Sequence, residues 1–97
     1  MLRDAVANSN TNAGFHASYG SVNHLSGTSA DANNIGYQTD ASSMSYAADA
    51  VSTNNVYGFW SGYLSYTDAS AASLSGNTTD YNVTTLNTTT GGVITTP

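Results

Sequence analysis

The chain has 97 residues, a net charge of −5 and no cysteine. That leaves room for one small domain and excludes a disulfide framework or a cysteine-ligated zinc site. One Arg and no Lys cannot neutralise a phosphate backbone, which argues against nucleic-acid binding, and no apolar run approaches the roughly 20 residues of a membrane span.

Leu, Ile, Val and Phe together number 15, fewer than an ordinary globular core uses, yet the chain lacks the high charge of a disordered one. Ala, Ser, Thr, Asn, Gly and Tyr fill it instead. Such a composition suits backbone ladders and stacked small side chains. Residues 1–11, "MLRDAVANSNT", read as an N-terminal arm without the apolar segment of a secretory signal.

From residue 12 a 22-residue repeat sets in. Glycine followed by an aromatic occurs at Gly14-Phe15, Gly36-Tyr37 and Gly58-Phe59, evenly spaced, and one further step reaches Tyr81, where Asp80 replaces the glycine. Three units follow over 12–77: "NAGFHASYGSVNHLSGTSADAN", "NIGYQTDASSMSYAADAVSTNN" and "VYGFWSGYLSYTDASAASLSGN". Asn33, Asn55 and Asn77 close them. Val22, Met44 and Tyr66 form an apolar column, with Ser21, Ser43 and Ser65 just before it.

Each unit opens on an alternating segment. In the third, Tyr57, Phe59, Ser61 and Tyr63 share one face, and Val56, Gly58, Trp60, Gly62 and Leu64 the other. Alternation of aromatic and β-branched residues between Asn and Gly signals a strand, and the Asn-Asn pairs supply turn chemistry. A unit therefore predicts a strand, a second extended piece and a turn. In the second unit, Met44, Ala47, Ala48 and Val51 also follow a helical stripe, so a helix over 41–51 is an alternative there. A 22-residue unit with one or two aromatics cannot bury itself, whereas stacked copies, or copies wound on a symmetry axis, can. The expected fold is all-β: 22-residue repeats forming a β-helix or β-prism-like trimeric fibre segment.

The segments "NAGFHAS", "NNIGYQTDAS" and "NNVYGFWSGYLS" resemble the N-x-Y-G-F-Y-x-S repeats of bacteriophage tail-fibre proteins and, more distantly, the head repeats of trimeric autotransporter adhesins. The resemblance covers roughly residues 12–70. It implies a β-rich homotrimeric fibre that spaces or displays a receptor-binding tip, located in a virion or outside the cell. Only the repeat carries over: Gly14, Phe15, Gly36, Tyr37, Gly58 and Phe59 with their flanking asparagines. The chain is very short for such a fibre and has no recognisable receptor-binding module.

Chemistry-bearing candidates are few. His16 and His24 lack a framing carboxylate pattern. Asp31, Asp40 and Asp49 are nine apart, as in calcium-binding nonapeptide rolls, but without the glycines those loops need. No Ser, His and Asp are arranged for nucleophilic catalysis, so neither enzyme activity nor a cofactor is expected. Trp60 is the residue best placed to stack on a host-surface glycan, against core packing as the plainer reading.

Residues 78–97 form a Thr-rich strand or tail, which is able to close the stack or to pair with another subunit. Asn77, Asn82 and Asn87 each begin an N-x-T sequon, so they are candidate glycosylation sites or incidental products of an Asn- and Thr-rich composition. Three functions stay open: a homotrimeric tail-fibre subunit contacting host glycans or other particle proteins, a self-polymerising extracellular filament joined by strand exchange, and a small carbohydrate-binding module.

Overall fold

The structure, a computed structural model, describes residues 2–83 and 92–97. Among the described residues, twelve short strands wind into four coils of three. Coil 1 contains β1 (Val6–Asn8), β2 (Ala13–Ala17) and β3 (Val22–His24). Coil 2 contains β4 (Ser29–Asp31), β5 (Ile35–Thr39) and β6 (Met44–Tyr46). Coil 3 contains β7 (Val51–Thr53), β8 (Tyr57–Ser61) and β9 (Tyr66–Asp68). Coil 4 contains β10 (Ser73–Ser75), β11 (Thr79–Val83) and β12 (Val93–Thr95).

Equivalent strands pair in parallel, so the coils build three four-stranded sheets: β1-β4-β7-β10 (sheet A), β2-β5-β8-β11 (sheet B) and β3-β6-β9-β12 (sheet C). Phe15 pairs with Tyr37, Tyr37 with Phe59 and Phe59 with Tyr81, each pair joining equivalent positions of successive repeats. The chain is therefore a three-sided β-solenoid with 22-residue repeats.

Each coil carries one strand more than the alternation suggests. Ser29–Asp31, Val51–Thr53 and Ser73–Ser75 are too short and polar to announce themselves, and they form because the strands above and below supply their hydrogen bonds. The segment 1–11, read as an arm, contributes β1 to sheet A. Val6 pairs with Ser29, where the strict repeat would bring Thr28, so one extra residue hides β1 from the register. The Thr-rich tail contributes β11 and β12, and the partner of Tyr66 is Val93, where the strict repeat would bring Thr88.

The helical alternative at 41–51 does not form. Ala41 and Ser42 take φ of 50° and 63°, which breaks a right-handed helix, and Met44 is held in sheet C between Val22 and Tyr66. The same left-handed corner recurs at Tyr19 and Gly20 and at Tyr63 and Leu64. Tyr63, expected beside Phe59 on the inner face, thus stands outside at the corner, 57% exposed.

Two ladders fill the interior. Phe15, Tyr37, Phe59 and Tyr81 stack with ring centroids 5.1, 4.7 and 5.9 Å apart and planes within 12°, 11° and 21°. Each such pair contributes about 0.5–1.5 kcal/mol beyond its buried area. One chain closes round these rings: Tyr37 and Phe59 are 1% and 0% exposed without any partner subunit. The second ladder is polar. Asn33 Oδ1 accepts from Asn10, Asn55 Oδ1 accepts from both the backbone N–H and Nδ2 of Asn33, and Asn77 Oδ1 accepts from the same pair of Asn55. Buried amides are thereby satisfied by their own copies one coil away, as in other stacked β structures.

The glycine before each aromatic serves the asparagine ladder. A Cβ on Gly36 would stand 2.7 Å from the Gly58 carbonyl oxygen and 2.8 Å from Asn55 Nδ2, and one on Gly58 would stand 2.7 Å from the Asp80 carbonyl oxygen. These glycines are required for space between coils. Small residues line the rest: Ala47, Ala69 and Ala50, with Ser43, Ser45, Ser52, Ser61, Thr39 and Thr67 all buried. Their hydroxyls bond one another, as Thr39 Oγ1 to Ser45 Oγ at 2.8 Å and Thr67 Oγ1 to Thr39 Oγ1 at 2.9 Å.

Candidate functional site

With the repeat glycines and the rings of Phe15, Tyr37, Phe59 and Tyr81 committed to the interior, chemistry falls to the outer faces. Strand alternation decides who is outside. In β8, Phe59 and Ser61 point in, so Trp60 points out from sheet B and stays partly exposed. Its indole lies 6.1 Å from the Tyr63 ring at a tilt of 51°. Leu64, 54% exposed, and Val56, 43% exposed, belong to the same coil. Coil 3 therefore carries a rigid aromatic patch on the outside as well as the tightest stacking inside.

The patch sits in a column set by register: His16, Gln38, Trp60 and Asn82 are successive partners across sheet B. Asp40, at the corner after β5, gathers two of these, accepting from Gln38 Nε2 at 3.0 Å and lying 3.1 Å from His16 Nε2. Gln38 Oε1 is buried without a hydrogen-bond partner. An exposed indole beside amide and carboxylate groups has the composition of a sugar-contact surface, where an aromatic face meets the ring and polar groups meet hydroxyls.

Sheet C presents a second exposed face. Val22, Met44, Tyr66 and Val93 are register partners along it, as are His24, Tyr46, Asp68 and Thr95. His24 stacks on Tyr46 with centroids 5.1 Å apart. Beside this pair, Arg3, Leu25, Ser26, Ala48 and Asp49 help enclose a cleft of about 190 Å³. That is smaller than the roughly 300–1,000 Å³ of most small-molecule sites.

The three aspartates spaced by nine are separated by the coil. Asp31 ends β4 on sheet A, Asp40 follows β5 of sheet B, and Asp49 precedes β7. Each serves its own corner. Thr53 and Asn54 hydrogen-bond the Asp31 carboxylate and hold it below its ordinary pKa. The Gly27 N–H, with help from Ser26, does the same for Asp49 against a smaller opposing effect of burial. Burial pushes the Tyr37 phenol up to about 12 even though Thr28 hydrogen-bonds it. Among the described residues, no three His, Asp or Glu side chains converge on a metal-sized site.

The sequon asparagines occupy unlike places. Asn77 Nδ2, the atom a glycan would need, donates to the Ser52 carbonyl at 2.9 Å and to Asp80 Oδ1 at 3.2 Å inside the ladder. Asn82 pairs with Trp60 on the outer face of sheet B. Asn87 lies outside the described residues. Sequence reasoning missed the pairing of Tyr63 with Trp60, because only the left-handed corner carries Tyr63 round to the indole's side. Compared with protein-family models, curated proteins and solved structures, the chain matches none.

Proposed function

We propose that this chain is a structural fibre subunit of a phage tail or tail-like particle, in which the solenoid serves as a rigid shaft segment and coil 3 makes host-surface contact. The observation that carries this reading is the pair of uninterrupted interior ladders, aromatic and asparagine, running through all four coils. A body held by axial ladders resists bending along its axis, and its repeating outline suits load transmission better than enclosure of a substrate. The tail-fibre assignment itself rests on the Gly-aromatic repeat and its likeness to such fibres.

Homotrimeric association belongs to the same proposal. Since each chain already buries its rings, trimerisation would use outer faces, and the Val22-Met44-Tyr66-Val93 column of sheet C is the most continuous apolar stripe available. Sedimentation at two concentrations tests it: a species of three chain masses, unchanged on dilution, is the expected result, and a dilution-stable monomer overturns the trimer.

A second reading, a carbohydrate-binding module, is favoured by one observation, the outward Trp60 indole with the exposed Tyr63 ring beside it. Retention on immobilised glycans, read as the amount of protein bound, separates the two readings, since Trp60 is the single Trp and its own emission cannot report on a variant lacking it. Trp60→Ala should abolish any glycan signal while leaving sedimentation unchanged, and a wild-type chain that binds no glycan removes this reading.

A further inference from the structure

The two ends of the solenoid differ chemically, and the difference lies at one residue. In each coil the position before the stacked aromatic faces the carbonyl oxygen of the coil above. Added Cβ atoms at Gly14, Gly36 and Gly58 would come within 2.9, 2.7 and 2.7 Å of the carbonyl oxygens of Gly36, Gly58 and Asp80 in turn. The fourth position in this column is Asp80 in β11. A strand laid in register over β11, from any source, would set its own carbonyl oxygen against the Asp80 Cβ at the same spacing. It would also cover an exposed carboxylate, whose desolvation is costly without a cation.

A second observation, independent of the steric one, concerns the asparagine ladder. In the lower coils the amide Nδ2 of each asparagine donates upward to the Oδ1 of the next: Asn33 to Asn55 at 3.1 Å and Asn55 to Asn77 at 3.2 Å. Asn77 has no such asparagine above it among the described residues, and its Nδ2 donates to Asp80 Oδ1 at 3.2 Å instead. The carboxylate supplies the acceptor that a further coil would have provided. One side chain thus both finishes the ladder and occupies the space its continuation needs.

We infer that Asp80 is a stop for coil stacking, so that the β11 edge does not accept the first coil of a second copy of this chain. Without it the match would be close. The second copy would bring Phe15 over Tyr81, prolonging the ring stack, and sheet B would continue from β11 into β2. Free parallel edges of this kind otherwise template end-to-end growth into open filaments. The stop blocks head-to-tail, coil-on-coil growth of this chain at the β11 edge.

The test uses the absence of native cysteine. Asn8 and Ser75 are exposed ends of the sheet A column, in the first and last coils. If copies stack coil on coil, these residues become neighbours at about 4.8 Å, within disulfide range. Introduce Asn8→Cys and Ser75→Cys together, alone and combined with Asp80→Gly or Asp80→Ala, then oxidise and read mass by non-reducing electrophoresis and sedimentation. The cysteine pair alone should give no ladder of linked copies, and Asp80→Ala, which keeps the Cβ, should behave likewise. Asp80→Gly should give a ladder of many copies. Equal ladders with and without Asp80 overturn the inference. So does an Asp80→Gly protein with wild-type circular dichroism that stays unlinked. Should Asp80→Gly fail to fold, the other two proteins still decide it: linked copies in either refute the stop, and their absence at high concentration supports it.

Discussion

Replacing Gly36 by Ala is the sharpest probe of how the coils are spaced. Gly36 has no positive φ, so alanine meets no backbone strain there and the cost is one of space. Its Cβ would stand 2.7 Å from the Gly58 carbonyl oxygen, 2.7 Å from Ser52 Oγ and 2.8 Å from Asn55 Nδ2. All three atoms are already joined, Ser52 Oγ donating to the Gly58 carbonyl at 3.1 Å and Asn55 Nδ2 donating to Ser52 Oγ at 2.9 Å. Ser52 and Asn55 are 0% and 2% exposed, so no water is at hand to replace a lost partner. Overpacking costs about 1–3 kcal/mol, and each buried polar group left unpaired costs about 1–3 kcal/mol more. The smaller entropy of the unfolded alanine chain returns about 0.4–1 kcal/mol. A net loss of about 3 kcal/mol follows, a large part of the roughly 5–15 kcal/mol expected for a domain of this size. Thermal unfolding followed by circular dichroism should show Tm lower by roughly 10–25 °C. Gly14→Ala, whose Cβ meets its nearest atoms at 2.9, 3.0 and 3.3 Å, should lose less. A Gly36→Ala protein within about 0.5 kcal/mol of wild type would refute the argument that these glycines keep the coils apart.

Asn55→Asp keeps the shape of a ladder rung but turns the Nδ2 donor toward Ala30, Ser52 and Asn77 into an acceptor. Its loss should be several kcal/mol and should grow as pH rises above the ordinary Asp range near 4, since the fold favours the protonated acid; urea midpoints across pH measure this. Asp31 and Asp49 have folded pKa values below 3.8, so their stabilisation is present above that pH and disappears as pH falls through the lowered values. Asp31→Asn and Asp49→Asn should accordingly flatten the acid limb of the urea midpoint. Tyr37 has the opposite sign: with its phenol raised to about 12, stability held below pH 10 is lost between 10 and 12, and Tyr37→Phe should lessen that alkaline loss in the same titration. Leu64 sits exposed at φ 63°, so Leu64→Asn should stabilise by up to about 1 kcal/mol in thermal unfolding, because Asn tolerates the left-handed region.

What was legible in the sequence was whatever recurred once per 22-residue unit with a distinctive side chain. The rings at 15, 37, 59 and 81 and the amides at 33, 55 and 77 revealed the coil because each must meet its own copy one step away. β1 and β12 escaped that register, since Val6 meets Ser29 and Val93 meets Tyr66 out of step with it. The sheet A strands were silent for another reason: "SAD", "VST" and "SLS" have no pattern of their own and are strands only because neighbouring coils complete them. Trp60 was readable as outward by alternation alone, but its neighbour Tyr63 was not, since the corner places a non-glycine residue at φ 52° where composition gives no warning. Asp80 looked like a lapse in the repeat until the carbonyl spacing between coils gave it a purpose.

The 22-residue step also bears on how such a protein changes length. Because the ring and amide ladders join each residue to its counterpart one coil away, an internal duplication of twenty-two codons would insert a coil whose rings, amides and glycines already match both neighbours. Each such event would lengthen the body by about 4.8 Å and leave its cross-section as it was. A deletion of the same size would shorten it equally, while a slip of one residue inside a strand would turn its inner side chains outward. For this chain, length is a heritable quantity that comes in whole coils.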